Sequence, residues 1–147
     1  MSRRLKRPPD AGVVVRSDLW TRPFWDNAAQ HRVTIATCAA CGHMRMPPTP
    51  FCPECLSQDI DWVDVPGTGT LYSFTIVRRA ILPDGEDCIP YAPALVELEG
   101  AGGLRIISNI VDCQEDALFI GLRLRPVFDA IDGQGTVIRF TPDEKRT

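Results

Sequence analysis

Histidine is scarce in this chain, with two in 147 residues, and the shortage narrows the available chemistry. Both, His31 and His43, fall in the N-terminal third. There is no GxSxG elbow, no HExxH pair and no glycine-rich phosphate loop between a strand and a helix. A nucleophile with an adjacent general base is hard to assemble from this inventory, so no catalytic residue is assigned. Long apolar runs are missing too: none approaches the roughly 18 residues of a membrane span. The opening MSRRLKRPPDAG is basic but lacks a following apolar segment, so a cytoplasmic location is expected and no membrane partner.

Positive charge is short outside that opening. Residues 1–16 hold Arg3, Arg4, Lys6, Arg7 and Arg16 against Asp10, a net +4, which leaves −7 for the rest of a chain of net charge −3. An acidic body argues against nucleic acid as the main partner, because phosphate binding works by displacing counterions with a basic face. The basic stretch itself reads as a solvated, flexible arm.

What the sequence has is thiols in pairs. Cys38, Cys41, Cys52 and Cys55 form C-x2-C-x10-C-x2-C within TCAACGHMRMPPTPFCPEC. Each CxxC turn aims two sulfurs at one point, and two such turns supply the tetrahedral thiolate set that Zn2+ prefers. Gly42 permits the positive φ of the first knuckle, and Pro53 stiffens the second. Four thiolates close the coordination sphere, whereas a catalytic zinc keeps a position for water. One structural zinc is therefore expected, with His43 outside the ligand set. Duplication of the pair speaks against a redox dithiol. Cys88 and Cys113 stand alone and read as small buried hydrophobes, with a nucleophilic role as the rival reading.

Around the cysteines the pattern divides the chain into a flexible basic arm over 1–16, an aromatic helix over 17–32, a zinc ribbon over 33–66, a barrel over 67–142 and a C-terminal tail over 143–147. The helix follows from Asp18 or Thr21 as caps, Pro23 in the first turn, and Trp20, Phe24, Trp25 and Ala28 at near-helical spacing. Alternation over 33–37 and 60–65 gives the ribbon two strands. Beyond GTGT the pattern is all strand, over 71–79, 94–99, 104–111, 122–128 and 137–140, separated by turn signals PDGED, EGAGG and DGQG. Five short strands without an intervening helix predict a mainly β chain whose second part is a five-stranded OB-fold barrel.

These pieces together resemble a known family, the zinc-ribbon plus OB-fold proteins of acyl-CoA metabolism known as domain of unknown function thirty-five. The resemblance rests on PFWDNAAQHRV, the cysteine knuckles, GTGTLYSFTIVRRA, PYAPALVELEGAGGLRIISNIVD and the segment from IGLRLRPVFDAIDG to IRFTP, and it spans roughly residues 20–142. It implies a rubredoxin-like ribbon with zinc on Cys38, Cys41, Cys52 and Cys55. It also implies an accessory subunit beside a thiolase-fold acyltransferase or related enzyme, with CoA or acyl-CoA as a possible ligand. On this reading Trp20, Phe24 and Trp25 contact the partner, while Arg78, Arg79 and Tyr91 at the barrel rim grip the ligand. Asp84, Glu86 and Asp87 in the adjoining loop would repel a CoA phosphate unless turned away. The alternative is a nucleic-acid-binding OB module that stacks bases on Tyr72 and Phe74.

Overall fold

The computed structural model describes residues 2–144, so Met1 of the expected arm and 145–147 of the expected tail lie outside the described residues. Its regular elements are a helix α1 (Arg22–Ala29) and eight strands: β1 (Val33–Cys38), β2 (Met44–Arg45), β3 (Ile60–Val65), β4 (Gly69–Phe74), β5 (Ala92–Leu98), β6 (Arg105–Ile110), β7 (Arg123–Ile131) and β8 (Gly135–Pro142). The order β2-β1-β3 makes a small antiparallel sheet, and β4-β5-β6-β8-β7 closes into a barrel. This is the mainly β arrangement with an OB-type barrel that the alternation predicts.

Pro23 starts α1 at a position where its missing N–H costs nothing. Asp18 prepares the turn, its Oδ1 accepting from the amides of Trp20 and Thr21, both at 2.9 Å. The helix buries Ala28 and packs against β1 and β8. Asn27 secures it by donating to the buried Thr34 hydroxyl at 3.1 Å, and Arg32 ties the following corner to β3 by two bonds to Asp64.

Alternation along β5 is strict: Ala92, Ala94, Val96 and Leu98 are buried, with half-buried residues between them. They meet Leu71, Ile110, Leu124 and Phe140, which are at most 1% exposed, to form the barrel core. Between ribbon and barrel stands Gly67, with φ of 86°; a side chain there would crowd Pro126 and Val33, each 3.1 Å from the added carbon.

Two expectations need correction. The first barrel strand stops at Phe74 rather than running to Arg79, because its partner β5 begins only at Ala92 and the ladder ends with Phe74 opposite Ala94 and the Thr75 amide on the Pro93 carbonyl at 3.0 Å. Beyond it Val77 and Tyr91 form an isolated bridge. The second concerns the basic arm, which is not free in its described part. Leu5 is buried, its amide donates to the Cys113 carbonyl at 2.8 Å, and the Lys6 amide donates to the Pro90 carbonyl at 2.8 Å. Arg7 bonds both oxygens of Asp112 and reaches Asp129, so the arm is strapped across the barrel by charge and backbone together.

Candidate metal centre and binding surfaces

β1 delivers Cys38 and the turn after it delivers Cys41; the long loop before β3 carries Cys52 and Cys55. The two knuckles are built alike. The Cys38 amide donates to the His43 carbonyl at 2.8 Å and the Gly42 amide to the Cys38 carbonyl at 2.9 Å. The Cys52 amide likewise donates to Ser57 at 2.8 Å and the Leu56 amide to Cys52 at 2.9 Å. The residue after each pair takes positive φ, 81° at Gly42 and 67° at Leu56.

All four Sγ atoms lie within 4.8 Å of one another, with Cys38 to Cys55 at 3.5 Å and Cys41 to Cys52 at 3.6 Å. A regular tetrahedron with Zn–S bonds of about 2.3 Å has edges of about 3.8 Å, so the donor set fits one zinc. The amides of Cys41 and Ala40 draw the Cys38 thiol down to about 6. Burial works against a Cys52 thiolate, yet the amides of Cys55 and Glu54 hold its thiol below the ordinary value. At Cys41 the amide of His43 is outweighed by burial and the neighbouring sulfurs, which push the thiol up to about 12. Four crowded sulfurs do not all ionise by themselves; a divalent cation is what stabilises the full thiolate set. With every ligand supplied by the chain, the centre is a structural staple.

The aromatic residues form a second feature. Phe24 and Trp25 are half-buried and packed edge to face, centroids 5.0 Å apart at 81°. Both line a cleft of about 490 Å3 whose other walls include Val13 of the arm, Met46 and Pro47 of the ribbon, and residues of β6 and β8. Trp20, also half-buried, does not line it.

The rim residues are placed elsewhere. The Arg78 Nη1 donates to Glu115 Oε2 at 2.7 Å. Tyr91 is held by backbone bonds to Val77, 2.8 Å one way and 3.2 Å the other, and Arg79 is exposed. Asp84, Glu86 and Asp87 stand exposed in the adjoining loop. Neither described cleft is lined by this trio.

Sequence reasoning missed a buried charge cluster. Asp129 Oδ2 accepts from Arg7 Nε at 2.8 Å and from Arg139 Nη1 at 2.7 Å, and Arg139 is only 3% exposed. Burial opposes ionisation of Asp129, but the bonds from Arg7 and Arg139 outweigh it and hold the carboxyl below its usual range. Bonds from Arg7 hold Asp112 low as well. No local pattern announces the part of Arg7, more than a hundred residues from Asp112 and Asp129; the only signal is that Asp129 and Arg139, ten residues apart, fall on adjacent strands.

Comparison with known proteins agrees with this geometry. Residues 25–61 match the model of the ChsH2 rubredoxin-like zinc ribbon domain, and 62–129 match that of the ChsH2 C-terminal OB-fold domain. A DUF35 domain-containing scaffold protein of Methanocaldococcus jannaschii is 34% identical over 87% of this chain and 86% of its own length. A probable enoyl-CoA hydratase alpha subunit of Thermomonospora curvata is 43% identical over 67% of this chain, which spans 30% of that protein. The 3-oxo-4,17-pregnadiene-20-carboxyl-CoA hydratase alpha subunit of Mycobacterium tuberculosis is 31% identical over 82% of this chain, which spans 37% of it. Among solved structures, a chain titled Ltp2-ChsH2(DUF35) aldolase superposes with a TM-score of 0.76 at 35% identity, covering 86% of this chain and 96% of that one. No described helix is long and apolar enough to cross a membrane.

Proposed function

The chain belongs to the DUF35 family of zinc-ribbon and OB-fold proteins, and we propose that it is a noncatalytic accessory subunit of an acyl-CoA-processing enzyme. Similarity to scaffold proteins and to hydratase alpha subunits supports that role. The partner is a thiolase-fold acyltransferase or a related condensing enzyme. It supplies the reacting groups, and this chain holds it and helps position the acyl-CoA donor.

One observation carries the reading. Phe24 and Trp25 stand at the junction of helix, ribbon and barrel, still half-exposed, on a helix fixed by its packing against β1 and β8. Apolar area covered there drives association at about 25 cal/mol per Å2, before the costs of ordering are subtracted. Trp20, in the turn before the helix, is the third aromatic group that meets the partner. Arg79 and Tyr91 are the rim groups left to meet the donor, because Arg78 already serves Glu115.

The test is a pull-down of the zinc-loaded protein from its native lysate, with mass spectrometry of what it retains, followed by quantitative binding to the purified partner. A thiolase-fold enzyme is expected. Trp25→Ala should lower its affinity while the barrel stays folded. Unchanged affinity in that variant would move the interface away from α1.

A further inference from the structure

The barrel has a gap in its wall. β6 and β8 run parallel and pair at one position, Ile110 with Phe140, continued by the Val111 amide on the Phe140 carbonyl at 2.8 Å. On its other side β6 is paired with β5 from Arg105 to Ile110, and β8 with β7 from Gly135 to Pro142. Ser108 still bridges the strands two residues from that point, donating to the Ile138 carbonyl at 2.7 Å, and both residues are buried. Beyond that bridge, at 105–107 of β6, the two strands face each other as edges without a ladder between them. The cleft bearing Phe24 and Trp25 opens onto these edges, at 105–109 and 137–139. Free strand edges beside an apolar wall are a template for another strand.

The side chains ask for the same kind of occupant. Asn109 lines the cleft with its Oδ1 buried and without a hydrogen-bond partner among the described residues. Another amide satisfies a carboxamide at both ends, whichever way it is turned. Arg105 lines the cleft too; its guanidinium lies on the Tyr72 ring at 3.6 Å and has no carboxylate partner among the described residues. Ile107, 84% exposed, stands between this cleft and a second groove of about 340 Å3 lined by Phe74, Pro93 and Leu95.

We infer that this gap is a docking groove for an extended aliphatic segment of a partner subunit, added as a strand along the free edge of β6 at 105–107 and carrying an acidic side chain opposite Arg105. A simple acyl chain has no backbone donors and acceptors to offer the strand edge. A strand rising about 3.3 Å per residue offers them in register, and it sets alternate side chains about 6.6 Å apart, so one can enter each groove across Ile107. The inference rests on the accessory role in needing a partner, and it specifies the chemistry of the part that docks. Its test uses the isolated chain and so can fail independently of that role.

The full zinc-loaded chain is titrated with a capped peptide alternating valine and glutamate, and in parallel with decanoic acid, while NMR follows amide exchange and the Ile107 methyl signals. The peptide should slow exchange of amides within 105–107 by about tenfold or more, as new ladder bonds form. Arg105→Glu should weaken the glutamate peptide by about tenfold, the scale of one charge-assisted pair, and a peptide with lysine in place of glutamate should regain the loss. If Arg105→Glu proves unfolded, Arg105→Gln with the same two peptides reads the charge preference instead. Decanoic acid bound in the cleft, with no peptide bound and no amides slowed, overturns the proposal. So does peptide binding that leaves these amides unprotected or ignores the charge swap.

Discussion

The ribbon and the barrel are both small β structures, yet they are held together in different ways. Among the largest fully buried side chains of the barrel are Phe140, Leu71, Ile110, Leu124 and Val96, a contiguous apolar core. The ribbon's share is Ile35, Thr34 and Cys52, of which one is polar and one is a metal ligand. Val33 and Ile35 of β1 join the barrel's core, but the knuckle loops bury too little apolar area to offset the entropy of ordering them, so there the metal replaces a core. Geometry in the knuckles is then set by four bonds, and geometry in the barrel by packing. The helix α1 belongs to the second regime, aimed by its packing on β1 and β8 and by the bond from Asn27 to Thr34.

Removing the metal should separate the two regions most widely. Structural zinc in small thiolate sites carries on the order of 10 kcal/mol of apparent binding energy. A strong chelator at neutral pH should therefore release amide protection across β1 and β3 and leave β4 to β8 protected, as read by hydrogen exchange. Uniform loss across both regions would mean that the barrel also depends on the staple. The complementary cut is Phe140→Ala, which empties the barrel core and should cost about 4 kcal/mol in denaturant unfolding while zinc content stays at one per chain.

Next in size is the strap that ties the arm to the barrel. Asp129→Ala leaves the buried Arg139 without its partner and should cost about 3 kcal/mol. Arg7→Ala removes a half-exposed cation and should cost about 1 kcal/mol. The strap also fixes a pH dependence. Asp112 and Asp129 ionise more readily folded than unfolded, so their contribution is fully present above the ordinary carboxylate value of about 4 and is lost as pH falls below it. Stability measured between pH 6 and pH 2 should fall below about pH 4, and Asp129→Ala should flatten that limb.

How much of this the sequence revealed follows the same division. The cysteine spacing is local, so the metal centre was legible in full, including the positive φ at Gly42. Barrel strands declared themselves by alternation, and β5 is found almost where its pattern placed it. What escaped was long-range. The arm read as free because its carboxylate partners, Asp112 and Asp129, lie over a hundred residues away, and β4 read five residues too long because its own alternation does not show where its partner β5 begins. The aromatic residues of α1 were legible as a surface. Their setting was not, because the cleft exists only once helix, ribbon and the parted edges of β6 and β8 meet.

The smallest predicted effect compares the two knuckles with each other. They share their hydrogen bonds, but Gly42 occupies the left-handed position in the first and Leu56 in the second, where a side chain costs about 1 to 2 kcal/mol. Leu56 is 72% exposed, so little packing compensates it. Leu56→Gly should remove the backbone cost, forfeit about 0.5 to 1 kcal/mol to the greater freedom of glycine in the unfolded chain, and leave a net gain of roughly 0.5 kcal/mol. Gly42→Ala should move the other way by about 1 kcal/mol. Both are read as shifts in the denaturant midpoint of the zinc-loaded protein. If Leu56→Gly instead lowers the midpoint, the exposed leucine is stabilising the ribbon through contacts that outweigh its backbone cost, and the two knuckles, alike in their hydrogen bonds, are not equivalent in what holds them.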